Sequence, residues 1–584
     1  MIQKITYALD SRFAIWFVLT ATFLLYFQTF FFDFANYDDN IYLTSNKYVQ
    51  NLTLFNLKYI FSNQFYGHYF PITLLLFTLE NFFFGLNPMI FHGVSVFLHL
   101  FNVILLYHLL KTLNFKNSVA LIVVLFFAIS PLQVESVSWL GARSNLLSSF
   151  FMFSALLFYS EYNKQQSIPK YLWVLTFFVL GCLSKSSAII LPLMIVILDL
   201  FQKRKFSFKS VVEKIPFFFI SILIGVIAVR SAQHFGSIEA VSKSLNLVQQ
   251  ALVICYQIGF FIYQVIFPFN LLVRYYNPIL IAGWLPKIYY FAPLVIMVIF
   301  CTIKFSTKKE IVLLGWAWFF VCVGLVLKTN YSTNVIAADR YLYFAIPGVF
   351  FILYGAVKQT ANKYFYSFIA FLVLVNSVKT VYQAQIWKNS KTLFSSLASN
   401  GEGRSQPFLY KGINLIKEKE YSAAKLNMKL AIKIDSTEGK NWAGLGTANY
   451  LLGHVDSAEV AYLRAIGLDS TISGPYFHLG NMYAASDKFD KSEKYFLKHL
   501  SLDPNNTETN FKLGNLELIK ENYLKAIQYY TEVITLLPAH HEAFLNRGYA
   551  FLKTNDMSEA CSDWIQSNKL GNKIARNNIL IYCN

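Results

Sequence analysis

The chain has 584 residues, of which 55% are hydrophobic, 18% aromatic and only 14% charged, with a formal net charge of +18. Soluble domains carry roughly 25% charged residues, so one water-soluble core of this composition is excluded. The positive balance does not call for nucleic acid, because basic loops facing anionic lipid account for it.

In chain order, apolar runs of 14 to 22 residues predict spans near 13–32, 89–110, 118–131, 145–160, 171–184, 186–201, 215–230, 288–303, 311–327, 341–357 and 364–382, about eleven in all. The first follows Lys4 and Arg12 and runs into Phe30, Phe31 and Phe32 with no small-residue cleavage site, so it reads as a retained helix. Basic residues gather in alternate connections: Lys111 and Lys116, Lys164 and Lys170, Lys203 to Lys209, Lys304 to Lys309, and Lys358 and Lys363. The positive-inside rule makes these loops cytoplasmic and puts the large loop 33–88 outside. The apolar stretch 248–267 breaks the alternation and is expected to be re-entrant, or half of a pair. Eleven crossings from a cytoplasmic amino terminus place the rest of the chain outside, although a cytoplasmic location is the commoner one for the module that follows.

That module begins after a membrane domain over 1–387 and a linker over 388–403. Gly412, Gly446, Gly480, Gly514 and Gly548 recur every 34 residues. Twelve residues after each comes Ala424, Ala458, Ser492, Ala526 or Ala560, and four later Met428, Tyr462, Phe496, Tyr530 or Trp564. This is the period of a tetratricopeptide (TPR) array, about five helical hairpins over 404–584, in which glycine permits close helix approach and the large residue is expected to fill the groove between neighbours. The fold class is therefore all-α: a polytopic helical membrane domain followed by a soluble α-solenoid. Cys182, Cys255, Cys301 and Cys322 sit in apolar runs as packing residues, while Cys561 and Cys583 look too isolated for a disulfide framework. No CxxC or His/Cys cluster suggests zinc, and no metal site is expected.

Chemistry is sought where charge is least expected. Phe34-Ala-Asn-Tyr-Asp38-Asp39-Asn40 directly follows the first span, and adjacent carboxylates there are costly unless solvated or used. A polar helix exit is the plain alternative. The same loop continues through Asn46, an amphipathic stretch from Leu54 to Phe61, Gly67-His68-Tyr-Phe-Pro71 and Phe84-Gly-Leu-Asn-Pro88. Later loops carry Pro131-Leu-Gln-Val-Glu135 with Trp139 and Arg143, then Leu183-Ser-Lys185 with Pro192 and Asp199, then Ala338-Asp339-Arg340-Tyr341. In this order the fragments resemble the transmembrane and TPR repeat-containing O-mannosyltransferases, the TMTC family, within the GT-C class of polyprenyl-phosphate-sugar-dependent glycosyltransferases. Ser130 and Ser186 depart from the residues usual in those relatives, His and an acidic residue.

The resemblance implies a GT-C-like membrane domain that moves a mannose-like sugar, with inversion and outside the membrane, from a polyprenyl-phosphate donor to a hydroxyl of a protein or glycan. No cofactor is implied beyond that donor. It assigns Asp38 as catalytic base and Asp39 as its neighbour, in a second layer or on the acceptor. Arg143, Lys185 and Arg340 stand at external span ends as candidates for the leaving phosphate, against the alternatives of snorkelling or an ion pair of Arg340 with Asp339. Glu135, His68 and Asp339 are further candidates for substrate contact, while His92 and His99 read as interhelical histidines. A bacterial inner membrane is the expected location. The array would recruit an acceptor or a protein partner, or only scaffold. Two other classes stay open: a non-catalytic membrane-anchored scaffold, and an envelope polysaccharide ligase or polymerase, which carries its large loop late rather than first.

Overall fold

Apolar segments in lipid have no water to bond their backbone, so they close their hydrogen bonds internally as helices. The computed structural model describes residues 13–234, 245–277, 284–328, 335–356, 363–401 and 403–583; Lys4, Arg12 and Lys358 lie outside them. The chain divides into two compact units, Met1–Ser396 and Leu397–Asn584.

The first unit contains α1 (Ala14–Tyr26), α2 (Leu54–Ser62), α3 (Pro71–Phe84), α4 (Pro88–Thr112), α5 (Asn117–Ile129), α6 (Val134–Ser138), α7 (Arg143–Gln165), α8 (Ile168–Ser184), α9 (Leu191–Phe201), α10 (Phe208–Val212), α11 (Ile215–His234) and α12 (Leu247–Ile266). There follow β1 (Tyr275–Tyr276), α13 (Leu294–Lys304), α14 (Lys309–Gly324), β2 (Val335–Ala337), α15 (Ile346–Ala356), α16 (Lys363–Ile386) and α17 (Ser390–Ser399). Among the described residues six helices are long and apolar enough to cross a membrane by themselves, and shorter apolar helices pack between them. The protein is a multi-pass membrane protein.

Two sequence expectations change here and a third takes form. The stretch 248–267, expected to be re-entrant or half of a pair, is one continuous helix, α12, started by a reciprocal cap in which Asn246 Oδ1 accepts from the Gln249 amide at 2.9 Å and Gln249 Oε1 from the Asn246 amide at 3.1 Å. The loop 33–88 holds the apolar helix α3, because Pro71 supplies a ready helix start and Leu74 and Phe77 find a buried seat. The expected linker 388–403 is largely the helix α17.

Polar contacts sort the connections into two faces. On one, Lys209 donates to Gln166 at 2.8 Å, Lys203 meets Glu310 at 2.7 Å, and Arg204 and Lys214 pair with Asp199 and Glu213. On the other, Asp39 reaches Gly141, Arg340 reaches Glu135 and Tyr275 reaches Asp339. The strands β1 and β2 pair antiparallel on this second face, Tyr275 opposite Ala337.

The second unit stacks five hairpins: α18 (Gln406–Lys417) with α19 (Tyr421–Ile434), α20 (Gly439–Leu451) with α21 (Val455–Leu468), α22 (Ser473–Ala484) with α23 (Phe489–Leu502), α24 (Thr507–Ile519) with α25 (Tyr523–Leu536), and α26 (His541–Lys553) with α27 (Met557–Lys569). A last helix, α28 (Lys573–Tyr582), follows. The glycine ladder works inside each hairpin, where a Cβ on Gly446, Gly480 or Gly514 would meet the ring of Tyr462, Phe496 or Tyr530 at 2.6 Å. The large residue thus lies on its own repeat's glycine rather than only between neighbours. Antiparallel packing of α27 and α28 also brings Cys561 and Cys583 to a Cα separation of 5.7 Å, where they form a disulfide that their spacing of 22 residues did not suggest.

Candidate functional site

The site face is built from the acidic loop outward. After α1 the chain turns through Phe27–Phe31, then buries Phe32 and Ala35. The Asp33 amide donates to the Lys388 carbonyl and the Asn36 amide to Ser390 Oγ, both at 2.9 Å, tying the loop to the end of the membrane unit. Asp39 is 1% exposed and its two oxygens accept from the Ala35 and Gly141 amides, each at 2.9 Å. Neighbouring side chains diverge, so with Asp39 turned inward as a clamp between two loops, Asp38 is left half-buried on the site side. Burial pushes the Asp38 carboxyl up to about 6 against the nearby charges of Arg340 and Arg274. Burial likewise pushes Asp39 up to about 7, opposed by its two backbone hydrogen bonds.

Cations gather around Asp38. Arg340 donates its backbone amide to Glu135 Oε2 at 2.7 Å and its guanidinium to Glu135 Oε1. The same guanidinium lies 5.3 Å over the Trp139 ring, and Trp139 stacks on Trp387 at 5.2 Å and touches Tyr37 at 5.4 Å. Gly141 is needed beside them, because a Cβ there would strike the Trp139 ring at 2.7 Å. Lys185 caps the end of α8 and donates to Asn145 Oδ1. Burial and then the Arg340 charge lower its ammonium to about 7, with Glu135 opposing. His68 is exposed, and the protein around it, then Lys185 and Arg340, push its imidazole below the usual value.

The other predicted residues divide. Glu135 is buried and occupied by Arg340, which leaves it a positioning role. Asp339 is buried and accepts from Tyr275 Oη at 2.8 Å; burial and the Glu135 charge raise it well above the usual carboxylate range. The guanidinium of Arg340 pairs with Glu135 rather than with Asp339. Arg143 does not join the site: fully buried, it donates to both Glu80 oxygens at 2.6 Å, to Ser95 Oγ at 3.0 Å and to the Phe91 carbonyl, which corrects the expectation that it meets a phosphate. His99 sits between helices, its Nε2 3.0 Å from the Ala128 carbonyl and its Nδ1 2.7 Å from Tyr343 Oη. Among the described residues no three His, Cys, Asp or Glu side chains are placed to hold a metal.

Two cations were missed from the sequence. Arg274 precedes β1 and acts on Asp38; Lys328 follows α14, donates to the Val335 carbonyl at 2.6 Å and is lowered to about 8 by burial and by Arg340 and Arg274. Both are basic residues on the face where the positive-inside bias predicts few, the same signal that singled out Arg340 and Lys185. Beside these residues an apolar groove of about 810 Å³ runs between α12, the helix start at Lys287 and the ribbon, lined by Tyr256, Phe260, Tyr263, Tyr276, Tyr289 and Val295. Its Ala337 end is three residues from Arg340.

Comparison with known proteins agrees with this division. Residues 74–230 match the family model of dolichyl-phosphate-mannose-protein mannosyltransferases and residues 474–506 that of the tetratricopeptide repeat. Human protein O-mannosyl-transferase TMTC1 is 32% identical over 113 residues, 18% of this chain and 13% of that protein. Protein O-mannosyl-transferase tmtc2 of Xenopus laevis is 30% identical over 219 residues, 34% of this chain and 26% of that protein. Human TMTC3 is 30% identical over 146 residues, 23% and 16% of the two chains. The matches thus span about a quarter or less of these relatives' length. Among solved structures, the TPR protein YrrB aligns with a TM-score of 0.29 at 16% identity, over 32% of this chain and 96% of that one. Over these stretches the chain is similar to the TMTC protein O-mannosyltransferases in its membrane unit and to the tetratricopeptide repeat in its second unit.

Proposed function

We propose that the protein is a GT-C glycosyltransferase that moves a mannose-like sugar from a polyprenyl-phosphate carrier to a hydroxyl of a protein, on the extracytoplasmic side and with inversion. The observation that carries this reading is that Asp38, the one carboxylate of the acidic pair turned to the site, lies under the charges of Arg340 and Arg274, with Lys185 near Arg340 and an apolar groove adjoining. The acceptor oxygen attacks the anomeric carbon while Asp38 takes its proton. The bond from that carbon to the phosphate oxygen breaks on the opposite face, and the electron pair leaves with the phosphate. Phosphate departs without protonation when fixed cations meet it, so Arg340, Lys185, Arg274 and Lys328 replace a general acid. The groove suits an isoprenoid chain, with its charged end at the basic cluster.

Two observations support placing the array on the same side as this chemistry. Residues 388 and 390, where the chain leaves the membrane unit, bond to Asp33 and Asn36 of the acidic loop. The Cys561–Cys583 disulfide suits an oxidising, extracytoplasmic compartment. The array then presents acceptor or partner proteins to the site.

The test is sugar transfer by the full-length protein in lipid nanodiscs, from labelled polyprenyl-phosphate sugars to a protein acceptor mixture, beside Asp38→Asn. Donor-dependent labelling lost in the variant is expected. Full activity of Asp38→Asn removes the base assignment, and no transfer by the unaltered protein from any donor favours the scaffold.

A further inference from the structure

The first TPR hairpin differs from the other four on its outward face. In α19 the positions 14 and 18 residues after the ladder glycine are Leu426 and Leu430, 60% and 37% exposed, followed by Ile434 at 39%. The same pair of positions holds Val460 and Arg464, Lys494 and Lys498, Gln528 and Glu532, and Ser562 and Gln566 in the later repeats. Beside the apolar edge, at four-residue spacing, stand Lys425, Lys429 and Lys433; the matching column reads Glu459, Leu463 and Gly467 in the second repeat and Glu493, Leu497 and Ser501 in the third. Helix α19 carries no acidic residue, and none of its lysines has an ion-pair partner among the described residues. Its inward side is ordinary array packing, with Ala424, Met428 and Ala431 fully buried. The stripe is therefore not required by the repeat fold, which works with polar or charged residues at both positions in the third, fourth and fifth repeats.

An exposed apolar edge flanked by lysines is the pattern of a helix lying in a lipid interface, leucines among the acyl chains and ammonium groups at the phosphates. Connectivity supplies the second argument. The apolar helix ending at Ile386 precedes Tyr421 by only 35 residues, 22 of them in α17 and α18, so of the five repeats this one is joined to a candidate spanning helix by the shortest stretch of chain. We propose that the outer stripe of α19 docks on anionic lipid headgroups and anchors the first repeat to the bilayer. The occupant is lipid, because the three lysines call for negative charge on the surface they meet and the stripe offers no acidic group to pair with a protein's cations. This inference rests on no assignment of catalytic residues or of membrane side.

The full-length protein, reconstituted in nanodiscs of phosphatidylglycerol or of phosphatidylcholine alone, is compared by hydrogen exchange. Residues 421–434 are expected to exchange up to about a hundredfold more slowly in the anionic discs, as each of the three lysines near such a surface contributes about a fivefold partition. Residues 523–536 of α25 serve as the reference and stay unchanged. The triple variant K425E/K429E/K433E is expected to lose the difference while α25 keeps its protection, which shows that the array is still folded. Equal exchange of 421–434 in both lipids overturns the proposal. So does protection that follows protein concentration rather than lipid charge, which would mark contact with a second copy.

Discussion

The two units of this chain obtain their structure in opposite ways. In the array each decisive contact is local, glycine against a large residue 16 positions later, and it recurs in every hairpin. In the membrane unit the decisive contacts span the chain: Asp39 to Gly141, Arg340 to Glu135 across 205 residues, Tyr275 to Asp339. Redundant local contacts tolerate the loss of one member, whereas a site gathered once from five loops does not. Chemistry needing fixed charges at set places belongs to the second kind of region, where burial holds side chains against their own entropy.

The comparison breaks most visibly at Asp38. Asp38→Asn is expected to lower kcat by about 10²- to 10⁴-fold, the usual worth of a positioned base, with the melting temperature unchanged; the assay is transfer from a labelled polyprenyl-phosphate sugar. Arg143→Met carries the next largest effect, on stability. Leaving Glu80 charged and alone in a buried seat costs about 3–5 kcal/mol, read as a lower denaturation midpoint of the membrane unit, and Arg143→Met with Glu80→Leu recovers most of it. If Arg143→Met instead raised only KM for the donor with stability intact, the residue would touch phosphate after all.

The acidity of the site sharpens the contrast. Asp38 works ionised, so activity rises with pH through about 6; Lys185 works protonated, so it falls as pH passes about 7. A narrow bell in kcat/KM between these values is expected. Lys185→Arg keeps its charge at every accessible pH and should flatten the alkaline limb; an unchanged alkaline limb in that variant would separate Lys185 from the phosphate. The smallest effect falls in the array. Gly514→Ala places a Cβ 2.6 Å from the Tyr530 ring, an overpacking worth about 1–3 kcal/mol, seen as a lower melting temperature of the array while transfer is retained.

Reading the sequence alone succeeded where the signal repeats or stays local. The 34-residue ladder, the apolar runs and the acidic pair after the first span are visible because period and composition need no partner to be recognised. It stopped at residues whose meaning depends on what faces them. Arg143 and Arg340 look alike in the chain, both basic at span ends, yet Arg143 is wholly buried on Glu80 while Arg340, paired with Glu135, stays partly exposed over Trp139 and acts on Asp38. Arg274 and Lys328 carry the same signal, and only the partners that folding brings, the Asp38 carboxyl and the Val335 carbonyl, give it meaning.

Order in the chain by itself determined two helical modules, the membrane character of the first, the repeat of the second and the loops in which charge would be found. Only the tertiary structure decided the partner of each charge: Asp39 inward and Asp38 outward, Arg143 buried on Glu80 and the partly exposed Arg340 on Glu135, Cys561 joined to Cys583. The reason is that hydrophobic periodicity is written along the chain, while the fate of a charged group is set by burial and by partners that folding brings from elsewhere.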